Sequence, residues 1–199
     1  MSDLFYQSFQ VCFEQRINKL GFKPKVFWLT GLSGSGKSTL ANHLNSYFFE
    51  NNIQAYILDG DNIRLGLNKD LGFEEHHRKE NLRRIAEVAK LMLDAGLVCI
   101  CAFVSPFEAD RQMVKSIIGT ENMQLIYVDC SIAACKHRDV KGLYAKAEKG
   151  EIKNFTGIDS PYEIPSQPDF VVNTESQSIA ISQNKVLQFA LQALSLHHE

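Results

Sequence analysis

Apolar residues recur along this chain with two different periods, and the alternation between them lays out its elements. From residue 4 to residue 20, Phe5, Phe9, Phe13, Ile17 and Leu20 fall three or four positions apart, which predicts one apolar stripe on a leading helix. Gly21 and Pro24 end that helix. Val26 to Leu29 is an unbroken apolar run and reads as a buried strand. Leu40, Ala41, Leu44, Tyr47 and Phe48 return to helical spacing, and Ile53 to Leu58 is a second strand ending at Asp59-Gly60-Asp61. Leu82, Ile85, Ala86, Ala89, Met92 and Leu93 make the clearest amphipathic helix, closed by Gly96. Leu97 to Val104 is nearly all apolar, as a strand covered on both faces should be. Ser105-Pro106-Phe107-Glu108 then predicts a helix start, with Ser105 as cap and Pro106 at the first helical position. Leu125 to Val128 is a fourth strand ending at Asp129, and Phe170 to Val172 a short fifth. Between them, residues 139–165 carry glycines, lysines and prolines without a long apolar period, the pattern of a loop or lid. Thr174 to Gln177 repeats the capping pattern and opens a last helix through Ile179, Val186, Leu187, Ala190 and Leu194.

Five short apolar strands alternating with helices predict an α/β fold, a doubly wound parallel sheet. In such sheets ligands sit beyond the carboxyl ends of the strands. With 199 residues the expectation is one domain over 1–199, its leading helix within 1–24 and its lid at 139–165. A formal charge of -2 gives no broad basic surface, so neither nucleic acid nor a membrane is an expected partner. Cys12, Cys99, Cys101, Cys130 and Cys135 include no C-x-x-C pair and read as free thiols of a reducing compartment. The first residues lack the basic region and apolar core of a signal peptide, and no apolar run approaches a membrane span of about 18 residues. A cytoplasmic location is the expectation.

The chemistry is concentrated in Gly31-Leu32-Ser33-Gly34-Ser35-Gly36-Lys37-Ser38, which fits G-x-x-x-x-G-K-S/T between the first strand and a helix running on from Thr39. Glycines let successive backbone N–H groups turn inward onto a phosphate, where a β-carbon would obstruct. The helix behind adds its positive N-terminal end. Lys37 can reach the β- and γ-phosphates, and the Ser38 hydroxyl can ligate Mg²⁺. These residues predict a P-loop NTPase core that binds a nucleoside triphosphate.

Two later stretches are weaker. Asp59 and Asp61, at the end of the second strand, can orient hydrated Mg²⁺ or accept a proton from an attacking hydroxyl; an ordinary Asp-Gly turn accounts for them equally. Arg64, Arg78 and Asn81 offer donors suited to phosphate-like oxygens, and Phe73 can stack on a base, although each also fits a plain surface or core role. His76 and His77 are expected to point different ways and so not to form a metal pair.

Taken in order, the phosphate loop through Thr39, Leu58 to Arg64, Asp70 to Phe73, Arg78 to Asn81, Ala102 to Phe107, Arg138 to Tyr144 and Asn154 to Glu163 resemble the adenylylsulfate kinase (APS kinase) family of P-loop kinases. The match runs from about Val26 to Val172 and leaves the first and last helices without motifs. The resemblance implies transfer of the ATP γ-phosphoryl to the 3′-hydroxyl of adenosine 5′-phosphosulfate, with Mg²⁺. It implies Lys37 and Asp61 as catalytic groups, with Asp59 and Ser38 near the metal. Arg64, Arg78 and Asn81 become the phosphosulfate clamp, Phe73 and Phe155 the walls around the acceptor adenine, Lys141 and Thr156 parts of the lid, and Arg138 a contact to ATP. Val104 stands where relatives usually carry isoleucine, a change not expected to alter the substrate. For Ser105, relatives suggest a phosphoserine intermediate; the helix-cap pattern suggests a backbone and substrate-loop role, which is the reading adopted. A homodimer and a separate sulfurylase upstream are further implications. The aromatic first stripe either packs on the core or offers the dimer contact.

Another small P-loop kinase, for a nucleoside or shikimate, would need a different acceptor clamp. A nucleotide switch selecting guanine would need Asn-Lys-x-Asp, and Asn68-Lys69-Asp70 lacks the intervening residue.

Overall fold

The computed structural model describes residue 5 and residues 7–196. In chain order the elements are α1 (Phe13–Leu20), β1 (Val26–Thr30), α2 (Lys37–Glu50), β2 (Ala55–Asp59), α3 (Gly60–Leu65), α4 (Glu75–Asp94), β3 (Val98–Ala102), α5 (Glu108–Ile118), β4 (Met123–Asp129), α6 (Ile132–Arg138), α7 (Leu143–Glu148), β5 (Phe170–Asn173) and α8 (Ile179–Ala193). The strands form one parallel sheet in the order β2-β3-β1-β4-β5, the doubly wound arrangement expected from the alternation of strands and helices.

The unbroken apolar strands are explained by helices on both faces of the sheet. Side chains alternate across β1: Phe27 and Leu29 join α2 and α8 in one core, while Val26 and Trp28 join α4 and α5 in the other. All four are fully buried. In the paired register, Leu29 and Asp59 both lie opposite Ala102, Thr30 opposite Tyr127, and Asp129 opposite Asn173. The carboxyl ends therefore share one edge, where every candidate site loop emerges.

Three elements start elsewhere than the sequence pattern predicts. The leading helix spans only Phe13–Leu20, with Cys12 as N-cap in a reciprocal arrangement with Gln15. Phe5 and Phe9 are exposed outside it, at 92% and 77%, and Leu4 lies outside the described residues. Spacing gave them a common face, but no tertiary surface covers it, and a short helix without such cover does not hold. Phe13, by contrast, packs on the core beneath α4 and α5. Helix α5 begins at Glu108 with Phe107 as N-cap, so Ser105 is not the cap. Ser105 has φ +43° and its hydroxyl accepts a hydrogen bond from Trp28 Nε1 at 2.9 Å. Helix α8 is capped by Ser178, whose hydroxyl accepts from Ile181 N at 3.3 Å, rather than by the Thr174 pattern. Thr174 instead donates its hydroxyl to Ser35 O at 2.7 Å. The segment 139–165, expected as loop, contains the one short helix α7.

Replacing Ser178 tests the observed cap. Ser178→Ala should lower the unfolding free energy by about 1 kcal/mol, read from the urea midpoint at constant slope. An unchanged midpoint would place the start of α8 elsewhere.

Candidate functional site

The phosphate loop is shaped by what crowds it. A β-carbon on Gly31 would lie 2.5 Å from Val128 O and 2.9 Å from Ser35 Oγ, and the residue sits at φ +153°. Gly36, at φ +105°, turns the chain into α2 in a conformation that side chains rarely adopt. Leu32 is buried with Cys130, Cys135 and Tyr144, and Ser33 O accepts from Tyr144 Oη at 2.9 Å. Gly34 rests against the backbone of Cys135, and its carbonyl accepts from Arg138 at 3.4 Å. Arg138 also donates to Thr174 O at 2.6 Å, so α6 and the start of the α8 loop are both laced to the phosphate loop. Ser35 is buried, whereas Ser38 and Thr39 are exposed on the first turn of α2.

Lys37 is the loop's charge. Its ammonium donates to Gly31 O at 2.9 Å and Leu32 O at 2.7 Å, and burial lowers its pKa to about 8. Two carbonyls do not replace the water that a buried ammonium loses. An arriving phosphate would supply the missing negative charge.

From the loop a short chain of contacts runs toward the neighbouring strand end. Ser38 Oγ donates to Asp59 Oδ2 at 2.8 Å, and Asp59 Oδ1 caps α3 by accepting from Asp61 N at 3.0 Å. Asp61 pairs in turn with Lys141, and that bond raises the lysine's pKa. Ser38 and Asp59 are a hydroxyl and a carboxylate at hydrogen-bond distance on an open surface. Such hard oxygen donors fit Mg²⁺, which keeps several waters and takes one or two protein ligands.

The clamp residues split into three groups. Arg64 donates to Leu71 O at 3.0 Å and Gly72 O at 2.9 Å, and its guanidinium lies 4.5 Å over the Phe73 ring. Arg78 donates to Phe73 O at 2.7 Å, to Thr156 Oγ1 at 3.0 Å and to Asn154 O, tying the segment 139–165 to α4. Burial lowers the pKa of both arginines, which still carry their charge at neutral pH. Asn81 is buried and accepts from Asn68 Nδ2 at 3.0 Å, so it is fixed by a residue the sequence pattern did not single out. Phe73 is 62% exposed beneath Arg64, whereas Phe155 packs edge-on to Tyr144 with centroids 4.9 Å apart. Val104 O accepts from Thr30 Oγ1 at 2.7 Å beside the buried Ser105.

His76 and His77 do not diverge as expected. Their ring centroids are 4.1 Å apart, and with Glu74 they offer ligand atoms within 4.8 Å of one another. His77 Nδ1, however, accepts from Gly72 N at 3.1 Å. The neutral ring then carries its proton on the other nitrogen and has no lone pair left for a metal. The two rings are tilted to each other by 47° rather than stacked.

Arg111, Tyr162, Glu163 and Thr174 also hold this edge of the sheet and were missed by sequence reasoning. Thr174 was assigned to a cap, and a lone arginine inside a helix carries no spacing signal.

The buried lysine generates a proton-linkage prediction. The unfolded chain binds the Lys37 proton more tightly, so stability of the empty protein rises with pH between about 8 and the ordinary 10.5. Phosphate binding favours the charged form, so nucleotide binding at about pH 8.5 should take up a fraction of a proton. Calorimetry in two buffers of different ionisation enthalpy measures it, and Lys37→Arg should abolish it. Equal uptake in the variant would assign the proton to another group.

Comparison with known proteins identifies the family. Residues 23–173 match the family described as adenylylsulphate kinase. The adenylyl-sulfate kinase of Geotalea daltonii is 51% identical over 173 residues, 87% of this chain and 85% of that protein. That of Staphylococcus haemolyticus is 47% identical over 188 residues, 94% of each. Among solved structures, the Mycobacterium tuberculosis APS kinase in complex with AMPPNP and APS superposes with TM-score 0.80 at 42% identity, covering 83% of this chain and 96% of that one. With the family model over residues 23–173 and relatives about half identical across most of the chain, the chain belongs to the adenylylsulfate kinase family of ATP-dependent kinases.

Proposed function

We propose that the chain transfers the γ-phosphoryl group of ATP to the 3′-hydroxyl of adenosine 5′-phosphosulfate, giving 3′-phosphoadenosine 5′-phosphosulfate and ADP. The observation that carries this is the contact chain Ser38–Asp59–Asp61–Lys141, which joins the phosphate loop to the lid. On this reading a carboxylate would stand between a triphosphate on one side and an acceptor held by Arg64 and Arg78 on the other. The bond from the γ-phosphorus to its bridging oxygen breaks as the bond to the ribose oxygen forms. Asp61 accepts the hydroxyl proton once the acceptor draws it away from Lys141.

The remaining roles follow the donors each residue offers. Gly31 to Ser38 and Thr39 enclose the phosphates, Lys37 neutralises their charge, and Arg138 lies on the side of the ATP base. Ser38 and Asp59 would hold Mg²⁺, which spreads the charge of the transferring group. Arg64, Arg78 and Asn81 grip the phosphosulfate, Phe73 and Phe155 close on its adenine, and Val104 lines the turn. Lys141 and Thr156 carry the lid formed by 139–165, whose closure excludes water. The whole chain acts as one kinase unit.

Ser105 is read as part of the acceptor turn. Its hydroxyl is buried and already accepts the Trp28 indole proton, and direct in-line transfer requires no phosphoenzyme. The exposed Phe5, Phe9 and Val11 favour a homodimer contact through the N-terminal segment. The five cysteines are free, which suits the cytoplasm, and no helix among the described residues is long and apolar enough to cross a membrane. The acceptor would come from a separate sulfurylase.

Turnover of ATP with adenosine phosphosulfate, with nucleosides and with no acceptor tests the reading. Only the phosphosulfate should support ADP release well above background, and Asp61→Asn should reduce kcat by roughly 10² to 10⁴. ADP release independent of acceptor would reject the assignment. Ser105→Ala should keep measurable turnover; a folded, ligand-binding variant with none would restore the phosphoserine route.

A further inference from the structure

Arg111 is a buried charge that the reaction scheme leaves unused. It lies on α5, and its side chain is 1% exposed. Its guanidinium makes four hydrogen bonds in three directions. Nη1 donates to Ser105 O at 2.7 Å; Nε and Nη2 donate to Glu108 Oε2 at 3.1 and 2.6 Å; Nη2 also donates to Glu163 O at 2.8 Å. The same cation lies 5.9 Å over the Tyr162 ring. We infer that Arg111 is a positioning residue that locks the acceptor-side turn at Ser105 to the returning end of the lid at Tyr162 and Glu163. This rests on the reading of residues 104–105 as acceptor side and 139–165 as lid.

Four further contacts make the junction a closed network. Glu163 N donates to Pro106 O at 2.8 Å, and Glu163 Oε2 accepts from Glu108 N at 2.6 Å, capping the start of α5 from the lid. Thr30 Oγ1 has one proton, which goes to Val104 O at 2.7 Å. The Tyr162 hydroxyl, 3.0 Å away, is therefore the donor to Thr30, and burial keeps it protonated by raising its pKa to about 12. The last strand residue before the phosphate loop thus shares bonds with the acceptor turn and the lid.

Two features argue that this arginine serves geometry rather than stability. Ser105 is a side-chain-bearing residue at φ +43°, a conformation costing roughly 1 to 3 kcal/mol unless its surroundings impose it. The bond from Arg111 to Ser105 O holds that carbonyl in place, while Trp28 holds the hydroxyl. Secondly, withdrawing this cation from water costs much of what its pairing with the partly exposed Glu108 returns. A planar fork that reaches three backbone or carboxylate acceptors at once is something only arginine supplies.

The test measures KM for ATP and for adenosine phosphosulfate separately in the full chain. Arg111→Met should raise the acceptor KM about tenfold or more, the scale of a lost charged hydrogen bond, and leave the ATP KM within about twofold. Arg111→Lys, which keeps the charge and can reach one acceptor, should recover part of the loss. Glu163→Gln, at an exposed position, should shift the same constant in the same direction by a smaller factor, and it decides the matter if Arg111→Met does not fold. Equal rises in both constants, or an unchanged acceptor KM in Glu163→Gln and Arg111→Lys, would overturn the inference. Wild-type protein that fails to turn over the phosphosulfate would instead remove the functional reading and this inference with it.

Discussion

A cation withdrawn from water must find oxygen elsewhere, and in this protein it finds it on loop carbonyls. Lys37 bonds to Gly31 O and Leu32 O, Arg64 to Leu71 O and Gly72 O, Arg78 to Phe73 O and Asn154 O, and Arg111 to Ser105 O and Glu163 O. Each side chain thereby fixes the loop whose carbonyls it uses. The carbonyls are neutral dipoles and compensate a full charge only in part. The loops are held in shape, and Lys37, Arg64 and Arg78 retain an unmet preference for anions, whereas Arg111 already has the Glu108 carboxylate. That combination is the preorganisation that phosphoryl transfer asks of a protein, since the reaction depends on positioning and charge neutralisation.

The sheet makes this possible by delivering all the loops to one edge. Thr30, Asp59, Ala102, Asp129 and Asn173 end their parallel strands on the same edge of the sheet, so the phosphate loop, the Asp59–Asp61 turn and the Ser105 turn are neighbours. Close approach then restricts composition. Gly31 has no room for a β-carbon beneath Val128 O, and Gly34 lies against Cys135 O. Residues 139–165 close the circuit through Lys141 on Asp61, Thr156 on Arg78, and Tyr162 with Glu163 on the β1 and α5 side.

What the sequence made legible is what a contiguous stretch can encode. The strands are readable because both faces of β1 and β3 are buried, and α4 because its apolar positions keep one period. The phosphate loop is readable because its glycines, lysine and serine act within eight positions. Misreadings arose where a local pattern was overridden from far away. Ser105 satisfies a capping formula, yet its hydroxyl is taken by Trp28, 77 positions earlier in the chain. Thr174 satisfies the same formula and is bound to Ser35, 139 positions away. Phe5 and Phe9 have helical spacing but no surface to bury against. The proposed acceptor side is legible only through family resemblance, because no spacing rule links Arg64 or Arg78 to the carbonyls they bond.

The central claim is that ligand phosphates replace these carbonyls as the partners of the buried charge. A crystal structure with a non-hydrolysable ATP analogue and adenosine phosphosulfate bound together tests it most directly. The account predicts Lys37 Nζ moved off Gly31 O and Leu32 O onto phosphate oxygens, with the acceptor ribose hydroxyl beside Asp61 and in line with the terminal phosphorus. Lys37 still on its two carbonyls, with both nucleotides seated elsewhere, would contradict it.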